Sequence, residues 1–230
     1  MGRKNLISQM KNYIFSLLFQ LAVYIQHYVD EENEDTSEVC AGIMLDAAHV
    51  LIHASCVNQT DRISNAIRTP KDESPINIDT IIIHPEYDPV SKKNNLAIVK
   101  LANESEMPIA ICLPFAGLVR GNNQTSILSF DYEGDFSASD AFRFMKNEVQ
   151  TLKDCPGIDQ DHEFCILESR NSWGVYRGTI RSLIFDIQGT QKVLTGISYR
   201  RRIPVGNDFA LVYSRVEPYV PWILSVIKKN

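Results

Sequence analysis

Short apolar runs separated by turn-forming residues dominate the chain from Val39 onward, and they predict strands rather than helices. The runs Ala41–Leu45, His49–Ile52, Ile78–Ile83, Leu96–Lys100, Ser126–Phe130, Arg181–Asp186, Val193–Tyr199 and Phe209–Ser214 are rich in Val, Ile, Leu and Phe, with Pro, Gly, Asn or Asp between them. Their spacing is that of a β-barrel or sandwich. The period changes near the end. From Arg215 to Lys228, Val216, Tyr219, Val220, Trp222, Ile223, Leu224 and Ile227 recur at helical intervals, with Pro218 in the first turn. Lys228 and Lys229 close that segment, where cations suit the negative end of a helix dipole. The pattern therefore predicts an all-β protein with one C-terminal amphipathic helix.

The beginning of the chain supports two readings. Arg3, Lys4 and Lys11 precede an apolar run from Tyr13 to Tyr24, which fits a secretory signal and is too short to span a bilayer. No small-x-small cleavage site follows it, so the alternative is a buried strand over Phe19–Gln26. The acidic stretch Asp30-Glu31-Glu32-Asn33-Glu34-Asp35 is expected to be a solvated loop tip, because its like charges oppose packing.

Composition narrows the class. Of 230 residues, 44% are hydrophobic and 22% charged, which excludes a disordered tail, a collagen-like rod and a multi-span membrane protein. A formal net charge of -5 offers no basic face for a phosphate backbone, so nucleic acid is not an expected partner. The His, Cys, Asp and Glu residues show no metal-ligand spacing, and there is no Gly-rich phosphate loop. No metal and no cofactor are expected. Five cysteines leave at least one without a partner in the chain.

Four segments, taken in order, carry more information than composition does. The first runs from Cys40-Ala41-Gly42-Ile43-Met44-Leu45 to Val50-Leu51-Ile52-His53-Ala54-Ser55-Cys56. The second is Ile81-Ile82-Ile83-His84-Pro85-Glu86-Tyr87-Asp88 followed by Asn94-Asn95-Leu96-Ala97-Ile98-Val99-Lys100-Leu101. The third is Ile111-Cys112-Leu113-Pro114, and the fourth joins Ala210-Leu211-Val212-Tyr213-Ser214-Arg215-Val216 to Tyr219-Val220-Pro221-Trp222-Ile223. Together they resemble the chymotrypsin/trypsin-like serine proteases, whose corresponding motifs are CGGSLI…VLTAAHC, IIxHPxYD…NDIALLKL and GVYTRV…YVDWI. The resemblance covers the chain from about Phe19 to its end. It implies two antiparallel six-stranded Greek-key barrels with a C-terminal α-helix. An N-terminal segment over 1–18 would precede a first barrel over 19–118 and a second barrel with the helix over 119–230, the two barrels forming one peptidase-like domain.

The resemblance also implies a Ser-His-Asp triad, and the sequence departs from it at each position. In that chemistry an imidazole takes the serine proton, and a buried carboxylate orients the imidazole and stabilises its charged form. Ser55 stands immediately before Cys56, where the family has its histidine. A serine hydroxyl is no base near neutral pH. His53 lies two residues earlier, and a tight helical turn would aim it to the opposite side; it is read as an ordinary, partly buried histidine. Asn95 occupies the aspartate position and is neutral. The family's C-x-GDSGGPL segment falls on 172–180, placing Tyr176 at the nucleophile, Val175 at the preceding aspartate and Arg177 at a glycine beside the oxyanion hole. Loss of a whole triad costs on the order of a millionfold in kcat, roughly 8 kcal/mol of barrier. The cysteines of the specificity-pocket bridge are absent at Ser172 and after Tyr199, and Arg170 falls near the pocket floor. The expectation is a protease homologue without protease activity.

Further expectations follow from the same resemblance. It pairs Cys40 with Cys56 and Cys155 with Cys165, which implies an oxidising compartment and a secreted protein. Cys112 is left over. In relatives with this motif the equivalent cysteine bonds to a propeptide or N-terminal module, but no cysteine precedes Cys40 here. Cys112 is therefore a candidate for a disulfide to another chain, the alternatives being a free thiol or an upstream segment missing from this sequence. Asn58, Asn103 and Asn123 head N-glycosylation sequons. Arg200-Arg201-Arg202 is read as a solvated loop, with an acidic-partner patch or cleavage site as the alternative. The leading functional reading is a secreted binding protein, a cofactor or decoy for an extracellular protease or protease substrate. The competing readings are a hydrolase with a rebuilt site and a decayed gene product.

Overall fold

The computed structural model describes residues 22–28, 37–57, 66–67, 76–104, 111–114, 125–130, 142–145, 155–167, 181–188, 191–199 and 202–229. The 1–18 segment, the acidic 30–35 stretch, Asn58, Asn123, Arg170, the 172–180 segment with Tyr176, Arg200 and Arg201 all lie outside the described residues. The described residues divide into two compact units, those within 1–83 and 96–110, and those within 84–95 and 111–230.

The first unit is a six-stranded antiparallel sheet. Its strands are β1 (Ala22–Tyr28), β2 (Ser37–Met44), β3 (His49–Ile52), β4 (Ala66–Ile67), β5 (Ile76–Ile83) and β6 (Ala97–Leu101). They are arranged in the order β1-β2-β3-β6-β5-β4, and β1 also approaches β4 at the far end of that order. The strand reading near the N-terminus is realised from Ala22, with β1 paired along its whole length to β2. β3 and β6 lie at the middle, where His49 pairs with Lys100 and Ile52 with Ala97. Both faces of these strands are covered, which is why they read as continuous apolar runs rather than alternating ones. Val50, Leu51, Ile52, Ala97, Ile98 and Val99 are all fully buried.

The second unit holds seven strands among the described residues, one more than expected. They are β7 (Thr125–Phe130), β8 (Phe142–Met145), β9 (Glu163–Leu167), β10 (Arg181–Gln188), β11 (Gln191–Tyr199), β12 (Arg202–Val205) and β13 (Asp208–Arg215). The order is β12-β13-β11-β10-β7-β8, with β9 also paired to β13. Of these, β8, β9 and β12 fall outside the runs that the sequence offers, and β12 opens on Arg202, part of the arginine stretch read as loop. Pro204 is tolerated there because β12 is an edge, and Gly206 at φ +61° makes the two-residue turn into β13. Side chains of β13 alternate between two clusters: Tyr213 joins Phe164, Ile166 and Ile184, whereas Ala210 and Val212 join Cys155 and Cys165.

The chain is thus all-β, with two antiparallel β-barrel units and one C-terminal helix. That helix, α1 (Val220–Ile227), starts later than the periodicity predicts. Arg215 still belongs to β13, where its N–H donates to His162 O and its Nε donates to the carbonyls of Gln160 and Glu163. A 3-10 turn over Glu217–Tyr219, with Pro218 in it, then leads into α1.

Candidate functional site

Ser55 sits in a 3-10 turn, Ala54–Cys56, that leaves the end of β3. His53 precedes that turn with extended backbone, and its carbonyl accepts the Cys56 N–H at 3.0 Å while the Ala54 carbonyl accepts the Val57 N–H at 3.0 Å. Cys56 is disulfide-bonded; the sulfur of Cys40, its expected partner, lies outside the described side chains. The turn is therefore fixed by a central strand on one side and a covalent bond on the other. Ser55 is 6% exposed and His53 2%, so His53 is fully buried rather than partly buried as its sequence position suggested. Both are engaged with other groups.

Asn95 closes the loop 84–95 and is also buried, at 6% exposure. This loop orders itself. The Asp88 carboxylate accepts the Val90 N–H and the Ser91 hydroxyl, and its backbone carbonyl accepts the Lys92 N–H. Lys92 and Asn94 adopt left-handed backbone at φ 60° and 51°, a region that non-glycine residues enter only when their surroundings hold them there. The Asn94 side chain supplies that hold. Its Nδ2 donates to the Glu86 carbonyl at 3.0 Å, and its Oδ1 accepts the Tyr219 hydroxyl at 3.1 Å. Lys93 adds an ion pair to Asp159 at 3.7 Å.

Tyr219 is 4% exposed and gathers a ring cluster that sequence reasoning missed. His84 meets it edge-on at 5.4 Å between centroids and meets Trp222 at 4.8 Å, while His162 lies 5.7 Å from Tyr219. Burial, together with the carboxylates of Glu163, Asp159 and Glu86, pushes the Tyr219 phenol up to about 12. Burial also lowers His84 below the ordinary histidine value; Glu86 opposes this and His162 reinforces it. No spacing rule signals such a cluster, because its members come from three segments far apart in sequence.

Among the described residues no group of His, Cys, Asp and Glu could hold a metal ion, and no helix is long and apolar enough to cross a membrane. Cys155 and Cys165 form a disulfide that closes a short loop, as expected. Cys112 is free and half-buried, and its carbonyl accepts the Leu194 N–H at 3.0 Å. Of the glycosylation candidates, Asn103 is described, and it is exposed just beyond β6.

The family model for trypsin matches residues 18–173, well over half of the chain. The chain belongs to the trypsin family. Vitamin K-dependent protein C of Mus musculus is 23% identical to it over 222 residues, covering 82% of this chain and 46% of that protein. The venom serine protease Bi-VSP of Bombus ignitus is 36% identical over 95 residues, covering 36% of this chain and 26% of that protein. The chain thus spans about half the length of the protein C relatives or less of the other. Among solved structures, an inactivated protease paralogue of the scabies mite shares the fold with a TM-score of 0.68 at 20% identity, covering 93% of this chain and 96% of that one. This trypsin-family chain holds Ser55 and Asn95 as buried, neutral side chains in separately described units.

Proposed function

We propose that this trypsin-family chain is not a protease and that it acts by binding another extracellular protein as a cofactor, decoy or regulator of proteolysis. The observation that carries the reading is the burial of Ser55 in a turn fixed by β3 and a disulfide; the motif resemblance aligns this residue with the family's general base. A hydroxyl there cannot accept the nucleophile's proton near neutral pH. Asn95 at the carboxylate position and Tyr176 at the nucleophile position point the same way. That an inactivated protease of the scabies mite has this fold supports a role for it without catalysis.

Fluorophosphonate labelling with a peptide-hydrolysis assay, run beside an active trypsin-family enzyme, tests the proposal. No labelled serine and no hydrolysis above background are expected. A labelled serine on this chain would overturn the reading in favour of a hydrolase with a rebuilt site, which the name of the venom serine protease relative favours.

Secretion and a covalent partner belong to the same proposal. The Cys155–Cys165 bridge favours an oxidising compartment. Asn58, Asn103 and Asn123 would carry glycans there, and Cys112 would join another chain. Non-reducing peptide mapping from a secretory host should find the glycans and a cross-linked Cys112 peptide. A fully alkylatable Cys112 in the native secreted protein would remove the covalent partner and leave the non-catalytic reading standing.

A further inference from the structure

His84 and His162 flank the ring of Tyr219, yet their nitrogens face opposite kinds of group. The His84 Nδ1 accepts the backbone N–H of Glu86 at 3.2 Å, a role open only to an unprotonated nitrogen. The His162 Nδ1 faces the Asp159 carboxylate at 3.3 Å, a contact that strengthens when the imidazole is charged. Charge on His162 therefore keeps its contact with Asp159. Charge on His84 turns an acceptor into a donor that confronts the Glu86 N–H, and beside a charged His162 it adds a like charge against the same tyrosine ring.

We propose that His84 and His162 form a proton-operated latch, which holds the 84–95 loop to the start of the C-terminal helix at neutral pH and loosens it in acid. The coupling runs through continuous contacts. Glu86, whose N–H is held by His84, offers its carbonyl to Asn94 Nδ2, and Asn94 Oδ1 accepts the Tyr219 hydroxyl. Displacing the His84–Glu86 turn thus withdraws support from Asn94, which occupies left-handed backbone. The loop so released presents Val90, 90% exposed, at its tip.

Charged groups from each packed segment surround the cluster. Glu86 of the loop acts on His84 and Asp159 faces His162, while Lys93 pairs with Asp159, Glu163 acts on the Tyr219 phenol and the Arg215 N–H donates to the His162 carbonyl. Lys93 and His162 share Asp159, which limits how far that carboxylate alone can offset a doubly charged pair. Glu86 favours charge on His84, whereas burial and His162 disfavour it more. The latch is independent of whether the protein cleaves peptides.

The test is a nuclear magnetic resonance titration of the full chain between pH 7.5 and 5. The Glu86 amide and the Asn94 side-chain amide are expected to move with the His84 midpoint. Opening of the loop, read from amide exchange after correction for intrinsic rates, should increase about fivefold, as expected for one lost hydrogen bond. His162→Asn should raise the His84 midpoint. His84→Asn, whose side-chain oxygen can still accept the Glu86 N–H, should abolish the loosening. Stationary Glu86 and Asn94 signals through the His84 titration, or unchanged loosening in His84→Asn, would overturn the proposal. If either variant does not fold, the titration of the native chain decides.

Discussion

Tyr219 and Asn94 are separated by 125 positions in the chain and joined by a 3.1 Å hydrogen bond, with the phenol donating to Asn94 Oδ1. Tyr219→Phe keeps the ring beside His84 and His162 and removes only the donor. The expected cost is about 1 kcal/mol, the usual net worth of such a bond. In a chain of this size that lowers Tm by about 2–4 °C, which a thermal melt at neutral pH measures. An unchanged melt would mean that water replaces the phenol without cost.

The same phenol governs behaviour in alkali. Its acid form is stabilised in the fold, with the pKa pushed up to about 12, by burial first and then by Glu163, Asp159 and Glu86. Because the unfolded phenol loses its proton near 10 while the folded one keeps it, the unfolded state binds fewer protons between those values. Stability is therefore expected to fall as pH rises from about 10 toward 12. Tyrosinate absorbance should show a late-titrating phenol that is missing in Tyr219→Phe. Identical titration curves for the two proteins would contradict the assignment.

Gly196 in β11 marks a close approach of a different kind. A Cβ there would lie 2.6 Å from Phe164 Cζ and 2.8 Å from Phe164 Cε1. The Phe164 ring has little freedom to yield, because it stacks on Tyr213 at 5.4 Å and the Arg215 guanidinium lies over it at 5.2 Å. Gly196→Ala is expected to destabilise by about 1–3 kcal/mol through overpacking. Phe164→Leu in the same chain should recover part of that loss, so the two changes are non-additive. Urea midpoints of the single and double variants measure the coupling.

Particular residues show how far the sequence could be read. Strand β3 is legible because a fully buried strand needs a continuous apolar run, and Val50, Leu51 and Ile52, following His49, supply one. Strand β12 is not, since arginine and Pro204 resemble loop chemistry unless the strand is known to be an edge. The helical period reaches back to Val216, but the chain is still strand at Arg215, whose N–H donates to the His162 carbonyl, so the helix begins later. The two-residue β4 lies below what any periodicity can signal. For the candidate site, the expectation that Ser55, Asn95 and Tyr176 stand at the triad positions rests on alignment to motifs alone. The burial of Ser55 and His53 and the assembly around Tyr219 needed long-range contacts, which leave no local pattern.

The turn between β2 and β3 offers a last test, in which removing an acceptor and removing a donor have different consequences. Asp46 Oδ1 accepts the N–H groups of Ala48 and His49, each at 2.8 Å, and the carboxylate also receives His49 Nδ1 at 2.9 and 3.0 Å. His49 is 5% exposed, and its Nε2 has no hydrogen-bond partner among the described residues. Asp46→Ala leaves two backbone donors and the imidazole donor without their acceptor, so a loss of about 2–3 kcal/mol is expected. Asp46→Asn keeps an oxygen for the backbone donors and should cost less, about 1 kcal/mol. His49→Phe removes one hydrogen bond but also removes a buried nitrogen that has no partner, and these effects oppose each other. It should therefore change stability by less than about 1 kcal/mol, although His49 is as deeply buried as much of the core. Denaturant midpoints should rank Asp46→Ala as the most destabilised and His49→Phe as nearest the native chain. The reverse order would show that the imidazole, not the carboxylate, holds this turn.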